Sequence, residues 1–273
     1  MARTMNRVLI TGAAGGIGRG LRQLLRGVYP ELRLSDRTAP NDLAPGENFT
    51  RADLTDLAAV EGICEGVDGI IHLGGRSIED SWAEIHPANI LGTYNLYEAA
   101  RRKGVKRVIF ASSNHAIGFY RRTRRIDNQV QPRPDSRYGV SKAYGEALGA
   151  FYADKFGVET MCIRIGNYGD KPIDKRRLSI WLSPRDMAQL VRIGLEHPDV
   201  HYEIVYGSSH NERAWWDNAA AERLGYRPLD SAEDHRDGAL AATAREPEGK
   251  VGELFIGGAF CEAEFAGDLD RIR

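Results

Sequence analysis

The sequence predicts an α/β fold, with a doubly wound parallel sheet and a small C-terminal cap. Two observations favour this class. Short apolar runs such as residues 7–11 (RVLIT) alternate with longer segments of helical periodicity, and a glycine-rich loop directly follows the first run. Uninterrupted apolar runs are typical of strands that are covered on both faces, as they are in a parallel sheet between helices.

The alternation of strands and helices covers about the first 165 residues. Strands are expected over short runs rich in Val, Ile and Leu, and helices where apolar residues recur every three or four positions. The expected strands are 7–11, 32–34, 69–73, 107–111 and 159–165, and the expected helices are one after the glycine loop, then 54–65, 85–103 and 138–156.

The region after residue 166 is less regular and is predicted to form a smaller substrate-binding cap. Ser183 is a typical N-cap, and Pro184 suits the first helical position, so we expect a helix to about residue 196. A strand is expected over 201–206 and a helix over 215–224. No Pro/Gly/Ser-rich linker separates the body (1–165) from the cap (166–273), so we expect one continuous structural unit.

The composition argues against several functional classes. Among 273 residues, 37 Lys+Arg against 38 Asp+Glu give a net charge of −1, so there is no basic field for nucleic acid. No apolar run approaches the roughly 18 residues of a membrane helix, and the N-terminus lacks a signal-peptide core. Cys64, Cys162 and Cys261 do not suggest a disulfide framework or a zinc site. We therefore expect a cytoplasmic enzyme without metal, nucleic-acid or membrane partners.

The loop at residues 11–18 (TGAAGGIG) is predicted to bind the pyrophosphate of a dinucleotide. It lies between a strand and a helix and spaces Gly12, Gly15 and Gly18 as G-x-x-G-x-x-G. The first glycine permits the tight turn, the second lets the backbone approach the pyrophosphate, and the third lets the helix pack against the strand. The N–H groups at the helix N-terminus, those of Gly16 and Ile17 among them, would face the anion. The fold is therefore expected to be of the Rossmann type.

The end of the second strand predicts which dinucleotide binds. Asp36 lies close to where an acid meets the adenosine ribose 2′-hydroxyl, and its carboxylate would repel a 2′-phosphate, which favours NAD. Arg37 could accept such a phosphate, so use of NADP stays open. Further cofactor contacts are expected from Asp53 and Leu54, and from Leu73, Gly74 and Gly75 after the next strand.

A candidate catalytic group combines a Y-x-x-x-K pair with a serine. Tyr138 and Lys142 share one face of the expected helix, and an ammonium near a phenol lowers its pKa, which would make Tyr138 a general base. Ser112 and Ser113 follow the strand at 107–111, at the edge where open α/β sheets place their sites. A serine hydroxyl there can hydrogen-bond the reacting oxygen.

Taken together, these motifs resemble the extended short-chain dehydrogenase/reductases. The resemblance rests on TGAAGGIG (11–18), Asp36, HLGG (72–75), Asn89 and the SS and YGVSK segments (112–113 and 138–142). It implies Ser113, Tyr138 and Lys142 as a catalytic triad, Lys142 also as a ligand of the nicotinamide ribose, and Asn89 as a structural asparagine at the cofactor site. Asn114 and His115 stand where the dehydratase branch has an Asp-Glu pair, so elimination chemistry lacks its acid and base.

Within that family the sequence is most similar to uronate dehydrogenases. FASSNHAIGFY (110–120), RPDSRYGVSK (133–142), LSIWLSPRD (178–186) and FIGGAF (255–260) carry the likeness. It implies NAD-dependent oxidation of galacturonate or glucuronate at C1 to the aldaric acid lactone, by a homo-oligomer. It also implies Arg176 as the carboxylate anchor, with Arg177 as its competitor. The remaining expected substrate contacts are Ser77, Ser113, Asn114, His115, Asn167 and Phe260.

Two alternatives remain from the sequence. One is a dehydrogenase or epimerase that acts on another small sugar or polyol. The other is a dinucleotide-sensing protein without catalytic activity. Sensors on this fold usually lack the Tyr/Lys pair, which this chain keeps at Tyr138 and Lys142.

Overall fold

The centre of the molecule is a parallel β-sheet of seven strands, which confirms the predicted fold class. The computed structural model describes residues 2–243 and 249–272. Its strands are β1 (Arg7–Thr11), β2 (Glu31–Asp36), β3 (Asn48–Arg51), β4 (Gly69–His72), β5 (Arg107–Ser113), β6 (Glu159–Ile165), β7 (Asn167–Tyr168), β8 (Trp181–Leu182) and β9 (Tyr202–Gly207). The main sheet has the order β3-β2-β1-β4-β5-β6-β9, while β7 and β8 pair separately.

Helices cover both faces of this sheet. They are α1 (Gly16–Leu24), α2 (Leu57–Cys64), α3 (Trp82–Ile85), α4 (Gly92–Arg102), α5 (Arg137–Phe156), α6 (Arg177–Ile180), α7 (Pro184–Glu196), α8 (Ala219–Arg223), α9 (Arg236–Thr243), α10 (Lys250–Leu254) and α11 (Ala259–Glu262). Helices α1 and α7 pack on one face, and α2, α4 and α5 pack on the other. None of the helices in the described part of the chain is long and apolar enough to cross a membrane.

The topology brings the carboxyl ends of β1, β4, β5 and β6 to one edge. The strand order reverses between β1 and β4, and ligands of open α/β sheets bind in the crevice at such a switch point. The register pairs Thr11 with His72 and Ser113 with Ile165. The glycine loop and the serine segment therefore emerge on the same side of the sheet.

The predicted helix over 85–103 is interrupted. Residues His86–Leu91 form one wider, π-helical turn between α3 and α4. Pro87 lies at the start of this turn and has no backbone N–H, so it cannot donate a regular helical hydrogen bond. Asn89 is buried in this turn, and such turns are frequent at functional sites.

Three other predicted boundaries shift for local reasons. Helix α2 begins at Leu57 rather than 54, because the Asp56 carboxylate accepts the N–H groups of Ala58 and Ala59 and caps the helix there. Helix α8 begins at Ala219 rather than 215, because the Asn218 amide is bonded to the Tyr206 backbone. Strand β5 extends to Ser113, so both serines lie within the strand rather than after it.

The chain after residue 166 contributes to the main sheet as well as to the cap. Strand β9 pairs with β6 along its length, and the predicted helix at α7 begins at Pro184 with the Ser183 side chain accepting the Asp186 N–H. Residues Ile256 and Trp216 meet Ile117 and Ile126 in a separate apolar cluster. The division into a cofactor-binding body and a substrate-binding cap stays a prediction.

Candidate active site

The glycine loop has the geometry that its spacing predicts. Gly12 has φ +71°, a conformation that favours glycine, and a β-carbon there would lie 2.7 Å from the Gly74 nitrogen. A β-carbon on Gly18 would lie 2.4 Å from the Gly12 carbonyl oxygen, so the close packing of helix on loop needs glycine at both positions. No side chain caps α1. Its first N–H groups, at Gly16 and Ile17, are therefore available to an anion.

Asp36 lies beside this loop at the end of β2. One carboxylate oxygen accepts the Ala14 N–H (3.1 Å) and the other accepts the Arg37 N–H (2.7 Å). Asp53 is turned toward Thr55, whose N–H and hydroxyl lower the pKa of its carboxyl group. Next to these acids is a cleft of about 340 Å³ lined by Arg37, Thr38, Arg51 and Asp53. The Leu54 side chain lies instead against Gly74 and Gly92, with Leu73 in the adjoining core.

Asn89 fixes the loop that follows β4. Its amide accepts the Arg76 N–H (2.7 Å) and donates to the Arg76 carbonyl (3.0 Å) and to the Ser141 hydroxyl (2.9 Å). A β-carbon on Gly75 would lie 2.8 Å from the Asn89 side-chain oxygen. The π-helical turn thus ties the Gly74-Gly75 loop to α5, the helix that carries Tyr138.

These residues fit a dinucleotide. The helix N-terminus is uncapped by side chains, and a β-carbon on Gly16 would meet no other atom within 4 Å, so space is open beside the loop. The carboxylate of Asp36 lies at the end of β2, beside the loop, where a ribose hydroxyl can donate to it. The loop and β2 thus offer one position for a pyrophosphate and one for an adenosine ribose.

The three predicted catalytic side chains converge at the carboxyl end of β5. Lys142 Nζ donates to the Ala111 carbonyl (2.8 Å) and lies 5.3 Å from the centre of the Tyr138 ring. The Ser113 hydroxyl accepts the His115 N–H (3.2 Å), and it lies near enough to the Tyr138 phenol to lower the pKa of that group. All three residues are buried, so their protonation depends on the protein rather than on bulk water.

The pKa of Tyr138 differs from the sequence-based expectation. Burial raises the pKa of this phenol to about 12, the Asp135 carboxylate adds to the rise, and the hydrogen bond from Ser113 opposes it. The expected lowering by Lys142 is not found, because burial lowers the pKa of that ammonium to about 8 and its hydrogen bond goes to a backbone carbonyl. Desolvation outweighs the charge pair in this state of the site.

The two arginines that the sequence offers as the carboxylate anchor, Arg176 and Arg177, have different surroundings in the structure. Arg176 is buried and donates to the Ile256 carbonyl through Nε (3.2 Å) and Nη2 (2.7 Å). In the orientation that satisfies both ends of its amide, Asn114 accepts from Arg176 Nη2 (3.2 Å) and donates to the Ile165 carbonyl (3.1 Å). Arg177 is instead paired with Asp174 on the loop. Arg176 is thus the arginine next to the serine segment.

Two aromatic contacts bring the C-terminal segment to the candidate catalytic group. The Phe260 ring stacks on the His115 ring with centres 4.0 Å apart, and its edge faces Tyr138 at 6.3 Å. Asn167 is half-buried in β7, next to the Gly166 whose carbonyl also accepts from Asn114. Ser77 is exposed, in the loop whose Glu79 accepts the Tyr138 N–H (2.8 Å).

Sequence reasoning missed two acids of this site. Asp135 accepts a hydrogen bond from His115 Nδ1 (2.7 Å), and Glu79 accepts the backbone N–H of Tyr138. Ser136 caps α5 by accepting the Gly139 N–H. A capping serine before a helix is visible in the sequence, whereas no spacing rule links an acid to a histidine 20 residues earlier.

No group of three or more His, Cys, Asp or Glu side chains is placed to hold a metal ion within residues 2–243 and 249–272. The three cysteines are buried and form no disulfide. Burial raises the pKa of the Cys64 thiol to about 12, which disfavours the reactive thiolate form.

Comparison with known proteins agrees with this geometry. Residues 8–183 match the model of the NAD dependent epimerase/dehydratase family. A uronate dehydrogenase of Pseudomonas putida is 49% identical over 262 residues, covering 94% of this chain and 96% of its own. The crystal structure of a glucuronic acid dehydrogenase from Chromohalobacter salexigens is 43% identical (TM-score 0.88) and covers 95% of this chain and 98% of that one.

A third relative has the cofactor bound. It is a mutant of uronate dehydrogenase from Agrobacterium tumefaciens complexed with NAD, 42% identical, with a TM-score of 0.88, covering 94% of this chain and 97% of that one. The likeness in sequence and in structure thus spans both the glycine loop and the C-terminal segment. The chain belongs to the NAD dependent epimerase/dehydratase family, and over nearly its whole length it is similar to that family's uronate dehydrogenases.

Proposed function

We propose that this protein is an NAD-dependent uronate dehydrogenase, which oxidises a hexuronic acid at C1 to the aldaric acid lactone. The observation that carries the proposal is the position of a buried arginine, Arg176, beside Asn114 and hence beside the Ser113–Tyr138–Lys142 group. An arginine matches a carboxylate in geometry and charge. Three sequence relatives that are 42–49% identical to this chain carry the name uronate dehydrogenase, which supports the same substrate class.

In this proposal the proton of the C1 hydroxyl and the hydride on C1 leave by different routes. Tyr138 accepts the proton of the C1 hydroxyl, and Ser113 donates a hydrogen bond to the same oxygen. NAD⁺, when bound, supplies the acceptor for the hydride from C1. Loss of both leaves a C1 carbonyl, which in the cyclic sugar is the lactone. Lys142 holds the ribose on the nicotinamide side and stabilises the tyrosine anion as it forms.

The cofactor contacts follow from the same proposal. The pyrophosphate lies over the N–H groups of Gly16 and Ile17, and the adenosine ribose donates to Asp36. Gly12, Gly15 and Gly18 shape the loop, while Asn89 holds Leu73, Gly74 and Gly75 in place beside it. Asp53 and the backbone of Leu54 flank the adenine, while the Leu54 side chain packs against Gly74 and Gly92. For the substrate, Arg176 binds the carboxylate, and hydroxyl contacts come from Ser77, Asn114, His115 and Asn167, with Phe260 as an apolar wall.

Deuterium at C1 of the sugar tests the reaction directly. Incubation of the protein with NAD⁺ and [1-²H]galacturonate should transfer the label to the nicotinamide, with a slower turnover than for unlabelled sugar. The sugar product should be a lactone without deuterium. Label that stays in the sugar product would contradict oxidation at C1 and would favour another position or an epimerase.

We expect kcat/KM for oxidation to rise with pH between about pH 6 and 8. A base accepts a proton only in its deprotonated form, and with a phenol pKa of about 12 that fraction grows roughly tenfold per pH unit. Above the pKa of Lys142, about 8, loss of the ammonium removes a charge that stabilises the phenolate, so the rise should become shallower. A pH profile that is flat or falls from pH 6 to 8 would argue against Tyr138 as the base.

We also propose that the protein is a homo-oligomer in a reducing compartment. Helices α4 and α5 pack side by side and expose large apolar side chains, among them Tyr94 (43% exposed) and Phe151 (46%). Such a patch is typical of an interface, and a second copy of the chain would cover it. The molecular mass in solution should then be a multiple of 30.3 kDa, and Phe151→Glu should lower it.

A further inference from the structure

The strongest unexplained feature near the candidate site is a buried carboxylate behind His115. Asp135 has no accessible side-chain surface, whereas the His115 side chain is 14% exposed. His115 Nδ1 lies 2.7 Å from one Asp135 oxygen. The second oxygen accepts the Ser136 hydroxyl (2.7 Å), and the Cys261 sulfur lies 3.9 Å from the first. The role of Asp135 is not explained by hydride transfer or by cofactor binding.

The packing leaves this carboxylate one position. β-Carbons on Gly118 and on Gly257 would each lie 1.8 Å from Asp135 Oδ2, so the chain passes the acid at both points without a side chain. The backbone N–H of Asp135 donates to the His115 carbonyl (3.3 Å). Its neighbour Ser136 accepts the Gly139 N–H and so caps the helix that carries Tyr138. Asp135 therefore joins His115 to the start of α5.

The geometry fixes which nitrogen of a neutral His115 carries the proton. A carboxylate can only accept, so Nδ1 must donate to Asp135, and in the neutral ring Nε2 then has a lone pair and no proton. Phe260 stacks on one face of the ring and holds its plane. Among the described residues, the hydrogen bonds of the His115 ring involve Nδ1 alone. Nε2 is on the opposite side of the ring from the buried acid.

We propose that Asp135 is a positioning residue, which holds His115 with a bare Nε2 toward the substrate so that it accepts a hydrogen bond from a sugar hydroxyl. The identity of that hydroxyl rests on the proposed function, whereas the tautomer does not. The lone pair on His115 Nε2 repels a carboxylate, so a hexuronate binds in one orientation. The carboxylate goes to Arg176, and His115 receives a hydroxyl group.

The variant Asp135→Asn should reverse the polarity of this hydrogen bond. The asparagine oxygen keeps the hydroxyl of Ser136, so its NH₂ group lies 2.7 Å from His115 Nδ1 and donates to it. The proton of the ring must then move to Nε2, which becomes a donor facing a donor hydroxyl. Such a mismatch at a buried polar group predicts a loss of about 10- to 100-fold in kcat/KM. NAD affinity and Tm should change little, because the side chain keeps its size.

The chain offers a matched control. His201 and Asp154 form a second His–Asp pair, with Nε2 of the histidine 2.9 Å from the carboxylate, but both side chains are more than half exposed. Asp154→Asn should leave kcat/KM unchanged. In a His115→Phe background, Asp135→Asn should add less than a twofold loss, because its effect acts through the histidine.

Nitrogen-15 NMR of the imidazole rings reads the tautomer without substrate. The His115 signals are assigned as those that disappear in His115→Phe. In the wild-type protein at about pH 8 we expect a protonated Nδ1 and an unprotonated Nε2. In Asp135→Asn we expect an unprotonated Nδ1 and a protonated Nε2. A protonated Nε2 in the wild type, or a full kinetic loss of Asp135→Asn in the His115→Phe background, would overturn the proposal. If the tautomer is as expected but no uronate is turned over, the proposed function fails and the positioning role stands.

Discussion

Tyr138→Phe should reduce NADH formation by about 10³-fold while NAD binding is kept. The substitution removes the oxygen that accepts the C1 hydroxyl proton, and general base catalysis contributes roughly 10²- to 10⁴-fold. The ring itself remains, so its edge contacts with His115 and Phe260 are preserved. Steady-state kinetics with galacturonate, together with NAD titration by fluorescence, would measure both quantities.

Tyr144→Phe is the matched control for this result. Tyr144 lies on the same helix, α5, and is half-buried, and no role in the reaction is proposed for it. Its activity should stay within about twofold of the wild type. Retention of more than a tenth of the activity in Tyr138→Phe would mean that another group accepts the proton, with Lys142 or His115 as the next residues to test.

Arg176→Met should abolish the preference for uronates. Loss of one partner of a buried arginine–carboxylate pair costs about 2–5 kcal/mol, which corresponds to roughly 30- to 3,000-fold in kcat/KM at 1.4 kcal/mol per tenfold. Turnover of the corresponding neutral hexoses should change far less, because they lack the carboxylate. Kinetics with galacturonate and galactose in parallel would separate a specific effect from general damage.

Arg177→Met serves as the control for Arg176. The two arginines are adjacent in sequence, but Arg177 is paired with Asp174 and its side chain is 29% exposed. Its removal should cost less than about threefold. Arg176→Lys should fall in between, because lysine keeps the charge and loses the bidentate geometry. Equal losses of kcat/KM in the two Met variants would contradict the assignment of Arg176 as the carboxylate anchor. Tm values would show how much stability is lost with the hydrogen bonds from Arg176 to Ile256.

Much of this fold could be predicted because its signals are local. Strand β1 has the bounds that the sequence predicts, because its apolar run is buried on both faces of the sheet and ends at the glycine loop. The start of α7 was equally clear from Ser183 and Pro184. The interruption of the helix at His86–Leu91 was not predicted, because a π-helical turn keeps the apolar pattern while it shifts the hydrogen bonds by one residue.

The site shows the same division between local and non-local signals. The glycines of the loop lie within a few positions of one another, as do Tyr138 and Lys142, and Asp36 ends a predicted strand. The structure brings these features to the predicted edge of the sheet. Asp135 was missed because its partners, His115 and the Gly118 and Gly257 turns, meet only in the folded chain. The pKa of Tyr138 was misjudged for a related reason: burial is a property of the fold, and it outweighs the neighbouring lysine.

The most direct test of the account compares galacturonate with galactose as substrates of the wild-type protein. The two sugars have the same configuration at every ring carbon and differ in the group at C6, a carboxylate in one and a hydroxymethyl group in the other. Initial rates of NADH formation with saturating NAD⁺ would give kcat/KM for each. We predict a preference of at least about 30-fold for galacturonate, from the pairing of its carboxylate with Arg176. Equal rates, or faster oxidation of galactose, would contradict the account.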